Sequence, residues 1–241
     1  DQFNFQKGYS FFNAQKKKEA TTYLNKVVNS AEYGSQAKYY LGFMAYEGDD
    51  YKQATKYFDE VSTEEKYKEK LSYYQADMNF KLGNFQKAID LGQKAMAKST
   101  PAEKSELNKI IGESYFNLKK YDTAIPFLVA YKGKNGRWNN TDYYQLGYAY
   151  YKQKEYESAI SQFNKIIGGK DSVAQNAYYH LGESYLNTNK KQQALNAFKN
   201  ASEMSYDLAI QEDASLNYAK LSYELGNSYQ SVPSILQGFL N

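Results

Sequence analysis

The chain has 241 residues, 42 % of them hydrophobic, which is enough apolar material for a substantial core and too much for a disordered chain. It contains no cysteine, excluding disulfides, thiolate metal sites and cysteine nucleophiles. Its 30 basic and 27 acidic residues are interspersed, and the net charge of +3 argues for neither nucleic acid nor anionic lipid as a partner.

No run of eighteen apolar residues occurs, so no membrane-spanning helix is expected. Three prolines leave long helices unbroken. The 27 tyrosines demand a recurring structural reason, because each needs an apolar contact for its ring and an outlet for its hydroxyl.

In chain order, apolar residues recur at the helical spacing of three and four. A first helix carries Gly8, a solvated turn holds Lys16-Lys17-Lys18, and a second helix carries Ala20. The pair returns as Gly42 with Ala54 and as Ala76 with Ala88. There Gly92 replaces the usual apolar side chain. It weakens its helix by roughly 1 kcal/mol against Ala, and Leu91 or Met96 is expected to fill the gap, the alternative being a flexible point in the solenoid. Ser99-Thr100-Pro101 reads as a helix start. Gly112 and Ala124 follow, with Pro126 expected in the first turns of its helix, where a missing N–H matters little. Gly133, Asn135 and Gly136 mark a loop. Gly147 and Ala159 then flank the polar break Lys152-Gln153-Lys154-Glu155, and Gly168-Gly169 marks the next turn. Gly182 with Ala194, and Ala219 with Ser231, complete the series; Pro233 repeats the placement of Pro126.

The first-helix column is thus Gly8, Gly42, Ala76, Gly112, Gly147, Gly182 and Ala219, with successive spacings of 34, 34, 36, 35, 35 and 37. The second-helix column has the same spacings and always lies 12 residues later. Length therefore varies only between one repeat and the next, as stacked helical hairpins require. Aromatic columns run in phase: Phe11, Tyr115, Tyr150 and Tyr185; Phe58, Phe163 and Phe198; Tyr51, Phe85, Tyr121 and Tyr156.

This pattern resembles the tetratricopeptide family over the whole chain, in seven repeats near 1–34, 35–68, 69–104, 105–139, 140–174, 175–211 and 212–241. The resemblance implies an all-α, single solenoid domain of about fourteen antiparallel helices in a right-handed superhelix. It further implies a concave groove lined by positions 2, 5, 9, 12 and 13 of each first helix. Carried over, those positions hold Phe5, Tyr9, Phe12, Tyr39, Phe43 and Tyr46 in repeats one and two. They hold Tyr73, Asp77, Phe80 and Lys81 in repeat three, and Lys109, Glu113, Phe116 and Asn117 in repeat four. Repeats five and six offer Tyr144, Tyr148, Tyr151, Lys152, Tyr179 and Glu183. Such a groove is aromatic at both ends and charged in the middle. Packing between helices accounts for positions 5 and 12 better than for position 9, so Tyr9, Phe43 and Tyr148 are the favoured contacts. The asparagine that a chaperone-carboxylate clamp needs at position 9 is missing.

Nothing in the residue pattern supports catalysis or a cofactor. The only histidine, His180, sits at a position that varies among repeats as Gln6, Tyr40, Tyr74, Ile110 and Gln145, and one histidine without cysteine cannot build a typical zinc site. It is read as a structural residue. No glycine-rich phosphate loop is present. The expected function is a protein- or peptide-binding scaffold in a larger assembly, with neither a metal nor a nucleic-acid partner. An RNA-binding repeat would need a continuous basic stripe, which Asp77, Glu113 and Glu183 interrupt. The Tyr-, Lys- and Asn-rich repeats also resemble bacterial periplasmic repeat proteins, and a chain without cysteine suits an oxidising compartment. At the C-terminus, Val232, Ile235, Leu236, Phe239 and Leu240 are expected to form an uncovered apolar helix face, implying further repeats or self-association.

Overall fold

The computed structural model describes residues 1–166 and 168–226. The chain divides into two compact units, residues 1–118 and 119–241. The N-terminal unit holds α1 (Gln2–Asn13), α2 (Lys17–Leu24), α3 (Gly34–Glu47), α4 (Tyr51–Val61), α5 (Glu65–Lys81), α6 (Phe85–Met96) and α7 (Pro101–Asn117). The C-terminal unit holds α8 (Tyr121–Ala130), α9 (Asn140–Lys152), α10 (Tyr156–Phe163), α11 (Ser172–Asn187), α12 (Lys191–Ser202) and α13 (Leu208–Glu224). Short 3₁₀ turns, Asn25–Val27 and Asn164–Ile166, extend α2 and α10. Among the described residues no strand forms; the only ladder pairing is an isolated bridge between Lys134 and Arg137. The expected fourteenth helix, with Ser231, Pro233 and the apolar face at its end, lies outside the described residues.

The small-residue columns are the places where paired helices meet. A Cβ added to Gly42 would come within 2.5 Å of the Phe58 ring, one on Gly147 within 2.7 Å of Phe163, and one on Gly182 within 2.8 Å of Phe198. Gly8 is equally close to Leu24, at 2.7 Å. Each glycine therefore seats the large side chain sixteen residues later. Ala20, Ala54, Ala88, Ala124, Ala159 and Ala194 are fully buried.

Repeat three inverts the pairing and corrects one expectation. Ala76 fills the first-helix position, and Gly92 stands sixteen residues on. The space beside Gly92 is taken from the next repeat: its added Cβ would lie 2.9 Å from Ile111 and 3.7 Å from Leu107. Leu91 and Met96 pack on the same core cluster, while beyond the adjoining residues the closest approach to that space comes from Ile111.

One device closes every described hairpin. Gln15, Asp49, Gly83, Lys119, Lys154, Asn189 and Gly226 all have φ between 57° and 77°, and all fall at position 15 of their repeats. Around five of them both bonds of a Schellman motif form. At Lys154, for instance, Glu155 N donates to Tyr150 O at 3.0 Å and Lys154 N to Tyr151 O at 2.9 Å. The equivalent bonds recur at Gln15, Asp49, Gly83 and Asn189. This left-handed residue ends the first helix and turns the chain back.

Helix starts follow the sequence signals. Thr100 and Glu103 form a reciprocal capping box ahead of Pro101, and Asn139 and Asp142 form another at α9. Two details differ from expectation. Of the lysine run only Lys16 lies in the turn, since Lys17 and Lys18 open α2. Pro126 is the sixth residue of α8, in its second turn, where its missing N–H removes an interior bond.

Candidate functional site

Positions 5, 9 and 12 lie four and three residues apart, so each first helix presents them on one face. On α1 they are Phe5, Tyr9 and Phe12. The ring of Tyr40, from α3, sits among them, with centroids at 6.4, 5.2 and 4.8 Å. Phe5 also stacks on Tyr33 at 5.0 Å. One repeat later, Tyr74 from α5 meets Phe43 edge-on at 5.5 Å and Tyr46 at 5.0 Å, beside Tyr73 and over Phe58. Tyr39 stacks on Tyr67 at 5.0 Å.

The C-terminal unit repeats the arrangement with a different residue. His180 of α11 lies 6.3 Å from Tyr144, 4.9 Å from Tyr148 and 5.0 Å from Tyr151, with Phe163 at 6.3 Å and Tyr179 at 5.3 Å. Tyr40, Tyr74 and His180 all occupy position 6 of their repeats. That position, treated as freely variable in the sequence, plugs the socket made by the preceding repeat. The signal was present: positions 5, 9 and 12 are all aromatic in the repeats that precede an aromatic position 6. Position 9 is therefore packed as well. Phe43 and Tyr148 are half-buried against the next repeat, whereas Tyr9 keeps 40 % of its surface exposed.

Carboxylates tie these faces together. Tyr46 donates to Asp77 at 2.6 Å, and Asp77 pairs with Lys81 at 2.8 Å. The Lys81 ammonium lies 5.1 Å above the Tyr46 ring and 4.8 Å above that of Tyr51. Burial works against the Lys81 charge, but its bonds to Asp77 and Tyr51 outweigh this and raise its pKa. Burial and the Asp77 bond hold Tyr46 well above the ordinary tyrosine value, while burial and neighbouring carboxylates push Tyr73 up to about 12.

In the C-terminal unit Glu183 plays the part of Asp77. Its carboxylate is 2.8 Å from His180 Nδ1, and it accepts from Tyr151, whose pKa is raised by burial and by the Glu183 charge and bond. Tyr179 donates to Asp213. Burial is also the main reason the Tyr144 pKa is raised. Lys109 and Glu113, one turn apart on α7, lie 3.9 Å from each other, and Glu113 is buried.

The structure thus brings eleven of the thirteen sequence candidates into three groups, while Lys109 and Glu113 pair with each other on α7. Phe5 and Tyr9 gather around Tyr40. Tyr39, Phe43, Tyr46, Tyr73 and Asp77 gather around Tyr74. Tyr144, Tyr148, Tyr151 and Glu183 gather around His180. Asp77 and Glu183, at position 9, are bridges between repeats, a role that repeat position alone did not disclose. Among the described residues no group of three His, Cys, Asp or Glu is placed to hold a metal ion, and no helix is long and apolar enough to cross a membrane. What the faces offer is half-exposed aromatic surface with oriented hydroxyls and a margin of Lys and carboxylate groups.

A sequence model of the family described as Anaphase-promoting complex, cyclosome, subunit 3 matches residues 128–201. No curated protein matches the chain. Among solved structures, YrrB, described as a TPR protein with an unusual peptide-binding site, is similar at TM-score 0.63 and 16 % identity, over 79 % of this chain and 96 % of that one. MamA AMB-1 is similar at TM-score 0.62 and 19 % identity, over 74 % and 98 %. MamA from Desulfovibrio magneticus RS-1 follows at TM-score 0.57 and 20 % identity, over 70 % and 94 %.

Proposed function

We propose that this chain, a tetratricopeptide-repeat protein by its hairpins and its structural neighbours, is a non-catalytic scaffold that binds a protein or peptide on its first-helix faces. The observation that carries the reading is the fixed aromatic ladder. Rings at positions 5, 6, 9 and 12 interlock across repeats and still leave surface open, most of all at Tyr9. Tyrosines offer large amphipathic contact area at low entropic cost, and rings already held in place lose little freedom when a partner arrives. Tyr46 and Tyr151 are held further by Asp77 and Glu183.

Such a surface suits a segment that places apolar side chains between the rings, with Lys81, Lys152 and the neighbouring carboxylates setting its orientation. Phe5, Tyr9, Tyr39, Phe43, Tyr46, Tyr73, Asp77, Lys109, Glu113, Tyr144, Tyr148, Tyr151 and Glu183 remain the proposed contact set. The one histidine is enclosed by rings and bonded to Glu183, in keeping with its reading as a structural residue. The second reading, an assembly factor of the cell envelope, rests on the likeness of the Tyr-, Lys- and Asn-rich repeats to periplasmic repeat proteins.

Affinity capture with wild-type chain, a Tyr9→Ala/Lys152→Ala variant and a Lys56→Ala control tests the reading. The first-helix variant should lose partners that the wild type and the control retain. Identical capture by all three would refute the assignment.

A further inference from the structure

The loop between α8 and α9 carries features found nowhere else in the chain. It contains the only tryptophan, Trp138, next to the only arginine, Arg137. It is also a built element rather than a slack connection. Asn135 and Gly136 have φ of 54° and 75°, the pattern of a tight hairpin turn, and Arg137 N donates to Lys134 O at 3.1 Å. Gly133 is buried with φ 83°, and a Cβ there would meet the Arg137 carbonyl carbon at 2.4 Å, so only glycine fits. Trp138 Nε1 donates to Tyr131 O at 3.0 Å, which fixes the indole.

This loop closes one side of an open cavity of about 700 Å³ between α8, α9 and α10, within the C-terminal unit. That volume falls in the range of ligand pockets, roughly 300–1,000 Å³. Its lining includes Lys132, Arg137, Lys165, Trp138 and Tyr143, with the half-exposed Val129 at the edge; no aspartate or glutamate contributes. In a chain of nearly balanced charge, a cavity with three cations and no carboxylate is a local exception.

We propose that this cavity is a second binding site, for an acidic peptide segment of a partner protein, with carboxylates pairing with Arg137 and Lys165 and an apolar side chain against Trp138 and Tyr143. Arginine presents a planar fork that matches a carboxylate in two bonds. A stacked nucleobase is disfavoured because the indole is already flanked by rings, Tyr131 at 6.2 Å and Tyr143 at 5.2 Å. Lys165 in turn lies 5.0 Å over the Tyr143 ring, holding the aromatic wall and the charge together.

The sole tryptophan makes the site its own reporter. Three probes are titrated into the intact chain while emission is followed: a capped peptide with leucine between flanking glutamates, the same peptide with glutamines, and a twelve-nucleotide oligothymidylate. The glutamate peptide should give a saturable change, at least about tenfold tighter than the glutamine peptide and weakened by added salt. Arg137→Gln should weaken it about tenfold at unchanged far-ultraviolet helicity, with Lys165→Gln as a second variant. Tyr9→Ala should leave it unaltered, separating this site from the first-helix faces. No saturable change, equal response to both peptides, indifference to Arg137→Gln, or tighter binding of the oligonucleotide would each overturn the proposal.

Discussion

The hydroxyl of Tyr46 donates to the carboxylate of Asp77 at 2.6 Å, joining position 12 of one repeat to position 9 of the next. Tyr151 and Glu183 stand in the same relation in the C-terminal unit. Both bonds need the phenol to keep its proton, which ties stacking of the repeats to tyrosine ionisation.

Alkaline pH should therefore unfold the protein. A tyrosine whose native pKa lies above its ordinary value of 10.0 holds its proton more tightly when folded. The stability it contributes is complete below pH 10 and falls as pH rises from there through the native value. Tyr67 and Tyr73, both about 12, set a window from pH 10 to about 12, and Tyr46, Tyr144, Tyr151 and Tyr179 extend the loss upward. In a pH titration, much of the phenolate absorbance should appear together with the loss of helicity. Complete ionisation of all tyrosines on an intact helical spectrum would contradict this.

The socket around His180 predicts an asymmetric pair of variants. His180→Ala removes a ring held by Tyr144, Tyr148 and Tyr151 and should destabilise the C-terminal unit by about 3 kcal/mol, as ring deletions from packed sites do. His180→Tyr, which copies Tyr40 and Tyr74, should stay within about 1.5 kcal/mol of wild type. Denaturant midpoints for the two proteins settle the matter, and equal losses would show that the ring is not what fills the socket.

The same packing limits what Phe43→Ala with Tyr148→Ala can report. Both residues hold a position-6 ring from the next repeat, so the double variant should lose stability as well as any partner. Thermal melts run beside the binding measurement separate the two effects.

Restoring the repeat pattern at Gly92 should fail. A phenylalanine suits the equivalent position at Phe58, Phe163 and Phe198, yet here Ile111 and Leu107 occupy the space. Gly92→Phe should destabilise by about 1–3 kcal/mol through overpacking, despite its better helix propensity. A raised melting temperature would mean that the gap is open after all.

Relieving a strained turn should help. Lys154 adopts φ 61° at the close of α9, a conformation that is disfavoured by about 1–2 kcal/mol for an L side chain. Lys154→Gly removes that strain but frees the unfolded chain, leaving a net gain of up to about 1 kcal/mol. Calorimetry should show a higher melting temperature; a lower one would show that the lysine side chain contributes more than its backbone loses.

The repeat was legible in the sequence because its main constraint acts within one hairpin. Gly147 must be small for Phe163 to seat, and a fixed spacing of sixteen residues records that need. Other features left a fainter trace. Position 15 holds glycine only at Gly83 and Gly226; elsewhere it holds Gln15, Asp49, Lys119, Lys154 and Asn189, because hairpin closure sets the backbone while these side chains are exposed. His180 looked arbitrary beside Gln6 and Gln145; the aromatic positions 5, 9 and 12 of the preceding repeat marked the socket, and stacking of one hairpin on the next showed what fills it. Gly92 read as a gap for the same reason: the side chains that close it, Ile111 and Leu107, belong to the following repeat. Spacing along the chain determined which helices pair. Stacking decided which side chains meet across repeats, because those contacts depend on how one hairpin is rotated against its neighbour, and no periodicity within a hairpin encodes that angle.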